Sequence, residues 1–384
     1  MDRNQPADDG ELAASLHAVQ WREVLPPLLV WRAIRVALRW RLLLLGWLTL
    51  VLVPLGWRGI DRLAGRLEPC GPAFSAYGAP AADALAAAGL GGGSGRAAPW
   101  TQPLAAAPSV RAWGWLLHPL FRWAAGSGGP RRTSDLLAVV WSLGVWAVMG
   151  GVAARTAALE LVGAPRPARG DALRHARRRS LPPFAAALGI LLLTIALAAA
   201  LVAVGWAARR PVGLLVVGGA WAAALGLGAL LLAVAGGLVV GGPVLWAACA
   251  VERRDALDAL SRTYAYIYQR PMHFAVYAAV AAVLGWGADI VLRGGLQAAL
   301  AVTQHFVQWG AGGGFPAETG GAARIGASAV RGWSAGFYAL GDAFALAYLA
   351  ASSVAVYLLL RQAVDGVDLC EASIDWEPAA PNAE

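Results

Sequence analysis

The sequence predicts an all-α, polytopic membrane helical bundle of about six transmembrane helices, with cytoplasmic amphipathic helices at the interface. Three observations predict it. Of 384 residues, 58% are hydrophobic and only 14% charged, whereas a soluble globular chain carries roughly 25% charged residues. The apolar residues fall into six long uncharged runs. Arginine clusters punctuate those runs on alternate sides. Eighteen tryptophans also suit a chain whose indoles sit at two membrane–water interfaces.

A spanning helix needs about 20 mostly apolar residues, and each run meets or approaches that. Leu42 to Trp57 is uncharged over 16 residues and can extend inward through Val36 to Trp40. Leu136 to Ala154, Leu181 to Ala208, a stretch within Pro211 to Val251, Pro271 to Ala288 and Ala343 to Leu360 supply the others. The expected spans are about 38–57, 136–156, 183–207, 213–238, 272–292 and 337–360, within a membrane domain of 21–365. Backbone hydrogen bonds must close inside each span, so all should be helices. Residues 1–20 form an expected disordered tail, and 366–384 an acidic one. The first apolar run reads as an uncleaved anchor, since no small-residue cleavage site follows it.

Arginine placement sets the direction. Arg22, Arg32, Arg35, Arg39 and Arg41 precede span one. Arg155, Arg166, Arg169, Arg174, Arg177, Arg178 and Arg179 separate spans two and three, and Arg253, Arg254, Arg262 and Arg270 separate four and five. The loops between three and four (Arg209, Arg210) and between five and six (Arg324, Arg331) are poorer. Both termini are therefore expected in the cytoplasm, and the chain in the cell inner membrane. The loop 58–134 also carries arginines, but loops beyond about 60 residues translocate regardless of charge. The 41 residues from Pro211 to Val251 leave two readings open. One is a single span followed by a kinked or half-inserted return. The other is two short spans broken at Gly236, Gly237, Gly241, Gly242 and Pro243.

Each outward-going span is led by a short amphipathic segment: Val30 to Arg41, Asp171 to Arg179, and Glu252 to Gln269. Asp171-Ala172-Leu173 recurs as Asp258-Ala259-Leu260, about a dozen residues before a proline-led span. Three helical hairpins, each led by a helix in the inner headgroup layer, would follow. Leu67 to Pro108, with Gly91-Gly92-Gly93-Ser94-Gly95, lacks the composition of a packed fold and reads as a floppy outer loop. Ala112 to Ala124, rich in Trp and Leu, reads as a helix resting on the outer interface.

Several chemistries are excluded. The chain has no lysine, so it has no Walker A loop and no Schiff-base nucleophile. Its positive balance of +8 is arginine alone, and guanidinium forks grip lipid phosphates bidentately. That points to anionic headgroups and not to nucleic acid. The candidate headgroup residues are Arg32, Arg35, Arg39, Arg177, Arg178, Arg179, Arg262 and Arg270. Cys70, Cys249 and Cys370 show no metal spacing, and the five histidines are scattered. No metal or cofactor is expected. Gly332-Trp333-Ser334-Ala335-Gly336 matches a nucleophile-elbow pattern, but that motif needs a strand before it. Asp289 and Asp342 form a candidate intramembrane polar site near the outer ends of neighbouring spans. Arg293, one helical turn from Asp289, can neutralise it. Gly237-Leu238-Val239-Val240-Gly241 permits close helix approach, within the bundle or in a dimer. Tyr264, Tyr266 and Tyr268 are expected to anchor their helix in headgroups.

Met149-Gly150-Gly151-Val152-Ala153-Ala154-Arg155-Thr156-Ala157-Ala158, Asp171-Ala172-Leu173-Arg174 and the stretch Asp255 to Pro271 resemble an uncharacterised multi-pass membrane family of planctomycete-type bacteria. The resemblance covers roughly 20–375 and implies about six helices with no assigned activity and no catalytic residues. A looser similarity links the helix-before-span pattern to membrane domains that accompany some glycerophosphodiester phosphodiesterases; this chain has no soluble phosphodiesterase domain. The expected function is non-enzymatic: organising lipids or partner proteins, with membrane-protein partners or a homo-oligomer as further partners. A small-solute or ion transporter or channel using Asp289 and Asp342 is the alternative.

Overall fold

The computed structural model describes residues 27–65, 71–74, 106–125, 131–163, 181–252, 256–311 and 321–366. These form eleven helices and no strand among the described residues. They are α1 (Pro27–Ala37), α2 (Trp40–Leu63), α3 (Pro108–Leu116), α4 (His118–Ala124), α5 (Arg131–Val162), α6 (Leu181–Ala207), α7 (Pro211–Gly219), α8 (Trp221–Glu252), α9 (Ala256–Gln269), α10 (Pro271–Gly310) and α11 (Gly321–Asp365). Six of them, α2, α5, α6, α8, α10 and α11, are long and apolar enough to cross a membrane. The chain is a multi-pass membrane protein. The end at which α2 begins and α11 ends is called near below, and the opposite end far. The Asp171 to Arg179 segment and the acidic tail lie outside the described residues.

The core is one helix. Every residue of α11 from 341 to 360 is buried, because α1, α2, α3, α5, α8 and α10 all pack against it. Such a run carries no amphipathic period; an all-round apolar helix belongs in a bundle centre or in lipid. Glycines set the closest approaches. A Cβ on Gly46 of α2 would lie 2.3 Å from the Ala343 carbonyl oxygen, and one on Gly285 of α10 would lie 2.3 Å from Tyr348 Cε1. Tyr348 in turn donates to the Ala281 carbonyl at 2.7 Å.

α1 is amphipathic as its pattern predicts, and its apolar face is turned to the bundle. Val30, Ala33, Ile34 and Ala37, at helical spacing, are buried against α5, α10 and α11. Arg39 then adopts an extended backbone (φ −68, ψ 136) and starts α2.

The region expected to rest on the outer interface is packed inside. α2 runs on to Leu63, past the expected end at 57. In α3 and the turn to α4, Trp115, Leu116 and Leu117 are fully buried, and α3 reaches α5, α10 and α11. The physical reason is that indoles bring their own donors to buried carbonyls. Trp115 Nε1 donates to the Pro72 carbonyl at 3.0 Å and packs 5.2 Å from Trp57. Trp113 Nε1 donates to the Val239 carbonyl at 2.8 Å.

That last bond also explains the 211–251 stretch. α7 is short, and α8 then runs as one 32-residue helix through Pro243, so the fourth span occupies 221–252 in place of the expected 213–238. There is neither a second span nor a kinked return. Pro243 lacks the N–H that would bond the carbonyl four residues back, which is that of Val239. The Trp113 indole occupies it, and Gly242 leaves room, since a Cβ there would lie 2.4 Å from Trp113 Cζ2. Gly237 and Gly241 are filled from within too: a Cβ on Gly237 would lie 2.3 Å from the Tyr264 hydroxyl, and one on Gly241 3.6 Å from Ile267 Cδ1. The glycine motif receives α9, and Tyr264 is an internal packing residue.

Candidate functional site

The charged residues of the bundle gather in two layers around α11. Asp342 and Arg361 mark them, nineteen residues apart, which is about 28 Å along a helix and close to the roughly 30 Å hydrocarbon thickness.

The far layer joins the two aspartates that stand out in the sequence. Asp289 of α10 and Asp342 of α11 both have side chains only 7% exposed. Arg293 bridges them: its Nε donates to Asp289 Oδ2 at 2.8 Å, and its Nη2 lies 2.9 Å from Asp342 Oδ1 without hydrogen-bond alignment. Gly341 leaves space for this arginine, since a Cβ there would lie 3.2 Å from Arg293 Cγ. A fourth member comes from α3: Arg111 Nη2 lies 3.6 Å from Asp289 Oδ2, with its guanidinium 5.1 Å over the Phe74 ring. Two carboxylates and two guanidiniums make the layer neutral. Carrying charges into low dielectric is tolerated when they are paired this way, and breaking such a pair is costly.

The near layer is built on Glu252, at the end of α8. Tyr357 donates to its Oε1 at 2.5 Å, and Arg262 Nη1 and Arg361 Nε lie 3.5 and 3.8 Å from the carboxylate. Beside it, Tyr266 donates to Asp365 Oδ2 at 2.5 Å. Burial, then the bond to Asp365, push the Tyr266 hydroxyl up to about 12, so it stays a donor. Glu160, at the near end of α5, pairs with Arg39, while Arg32 donates to the Glu160 backbone carbonyl at 3.1 Å. Arg155 donates to the Ala250 carbonyl at 2.9 Å.

The headgroup arginines therefore divide. Arg32, Arg39 and Arg262 are engaged with the protein's own acids and carbonyls. Arg35 and Arg270 are exposed. Arg177, Arg178 and Arg179 lie outside the described residues. Arg111, Glu160, Glu252, Tyr357 and Arg361 were not legible as site residues. Glu160 and Glu252 each sit at the end of an apolar run, a usable signal for a span-end acid. Arg111 lies in an apparently structureless loop and offers none.

The remaining motifs carry no site here. Ser334 lies within the unbroken helix α11, without the strand-to-helix turn an elbow requires. Among the described residues, no group of three His, Cys, Asp or Glu side chains could hold a metal ion. Cys249 is a free thiol, and Cys70 and Cys370 lie outside the described residues. On α4, burial and then Arg122 lower the His118 pKa to about 4, which keeps the ring neutral at pH 7. No family model matches the chain, and no curated protein or solved structure matches it significantly.

Proposed function

We propose that this chain is a non-enzymatic inner-membrane protein that organises lipids or partner proteins, with the near end facing the cytoplasm. The observation that carries the reading is the pairing of the far layer. Asp289 and Asp342, the residues a transport pathway would use, are held by Arg293 on either side of a helix buried all round. A transporter site is instead built where helices break and charges face a cavity, and α8, α10 and α11 run through the bundle unbroken. Exposed cations remain at the near end. Arg35 and Arg270 are free to meet anionic headgroups, and Trp40, 66% exposed beside Arg41, has the interfacial chemistry of a membrane anchor.

The test is lipid enrichment. Purified in nanodiscs from mixed phosphatidylcholine and phosphatidylglycerol, the protein is expected to concentrate the anionic lipid. Arg35→Gln and Arg270→Gln should each reduce that enrichment, by up to about fivefold if one interfacial cation contributes about 1 kcal/mol. Equal lipid composition inside and outside the annulus, together with solute flux in proteoliposomes that Asp289→Asn abolishes, would replace this reading with transport.

A further inference from the structure

The far layer is neutral, yet it is incomplete in a specific way. Arg293 is engaged on both sides, at 2.8 and 2.9 Å. Arg111 has only the 3.6 Å contact, and its Nε and Nη2 are buried with no hydrogen-bond acceptor among the described residues. Asp289 Oδ1 is likewise buried with no donor, on a side chain 93% removed from solvent by its printed exposure of 7%. Buried polar groups in native proteins are almost always satisfied. One layer therefore holds both unmet guanidinium donors and an unmet carboxylate acceptor, a few ångströms apart.

The chemistry of the missing group follows from that pair. An anion alone would suit Arg111 but be repelled by Asp289 and Asp342. A cation alone would suit Asp289 and be repelled by the two guanidiniums. A zwitterion satisfies both demands and leaves the layer neutral. Location narrows it further. The layer lies about 28 Å along α11 from the near layer, at headgroup depth, and the Arg111 and Arg293 side chains keep 18% and 15% exposure, so it is approached from the guanidinium side.

We infer that the far layer binds a phosphate–primary ammonium zwitterion, the headgroup chemistry of an aminophospholipid. A phosphate oxygen accepts from Arg111 Nε and Nη2, a geometry suited to the guanidinium fork. The ammonium donates to Asp289 Oδ1. The inference rests on the lipid half of the proposed function and assigns it a headgroup and a place.

The decisive probe needs no variant. Wild-type protein is assembled in phosphatidylcholine nanodiscs containing equal minor amounts of phosphatidylethanolamine, its mono- and dimethyl derivatives, and phosphatidylglycerol, and retained lipid is read by native mass spectrometry. Methylation keeps the charge and removes N–H donors. Retention should fall along the series, by about tenfold between the primary ammonium and phosphatidylcholine, the worth of one charge-assisted hydrogen bond. Asp289→Asn and, as a gentler second variant, Arg111→Lys should flatten the series, while Arg35→Gln leaves it intact. Free phosphoethanolamine competing as well as the lipid would support the site and assign it to a soluble zwitterion. A flat series in the wild type, or phosphatidylglycerol retained as well as phosphatidylethanolamine, overturns the inference. If anionic enrichment at Arg35 and Arg270 persists in that case, the organising function stands without it.

Discussion

The α10–α11 hairpin is two structures in one. Its near half, about 271–293 with 342–365, contains the sealed run of α11 and the far layer. Its far half, about 294–310 with 321–340, continues α11 some twenty residues, or about 30 Å, beyond Asp342. There Phe306, Trp309, Ile325 and Trp333 are 59%, 79%, 73% and 82% exposed. Both halves are regular helix. What differs is the company: six helices surround α11 below Asp342, and the far half has chiefly its own partner strand of helix, tied at Gln297 to Tyr338. The contrast teaches that burial in this chain is set by neighbours more than by residue type, since Trp115 is fully buried and Trp333 is open.

The largest expected effect is at Arg293. Arg293→Gln leaves Asp289 and Asp342 without their bridge, and loss of one partner of a buried pair costs about 3–5 kcal/mol. Denaturant unfolding in nanodiscs should show that drop, with partial recovery when Asp342→Asn is added. Arg324→Gln, in the far half, should change stability by less than about 0.5 kcal/mol. Equal effects at the two sites would erase the comparison.

Glycines sharpen it. Gly46→Ala and Gly285→Ala drive a methyl into the α11 backbone and the Tyr348 ring, respectively, and should cost about 1–3 kcal/mol each. Gly326 and Gly332, in the far half, have nothing within 4 Å of an added Cβ. Their replacement by Ala should be neutral, or stabilising by up to about 1 kcal/mol. Thermal unfolding of the four variants decides this directly.

A smaller effect tests the tie between α3 and α8. Trp113→Phe removes the donor from the Val239 carbonyl and should cost about 1–3 kcal/mol. Pro243→Ala restores a backbone N–H for that carbonyl. The double variant should therefore lose less than the sum of the singles in a double-mutant cycle, and additivity would refute the pairing.

The smallest effect is a pH slope. His118 has its pKa lowered from 6.5 to about 4, so between those values the unfolded chain binds the extra proton. Stability should be complete above about pH 6.5, fall as pH drops towards 4, and level off below. His118→Asn should remove that portion of the slope in melts taken across the window.

Helix content, the number of spans and the pairing of Asp289 with Arg293 were all legible in the residues. Uncharged length dictates spanning segments, and four-residue spacing dictates contact on one helix face. The position of the fourth span was not legible, because Pro243 looks like a break until the Trp113 indole supplies the missing bond. Residues 106–125 misled for a related reason: tryptophans suit an interface and a buried carbonyl equally well.

Local chemistry thus decides that this chain is helical and membrane-spanning, since composition and the hydrogen-bond demands of lipid leave no other solution. Tertiary structure alone decides which of six similar apolar helices is the centre, and which arginines are spent on Glu160, Glu252, Asp289 and Asp342 before any lipid arrives. The physical reason is range. Spans are specified by neighbours in sequence, whereas the charge layers join residues from α3, α8, α9, α10 and α11, whose meeting depends on packing at glycine contacts and on donors delivered from elsewhere in the chain.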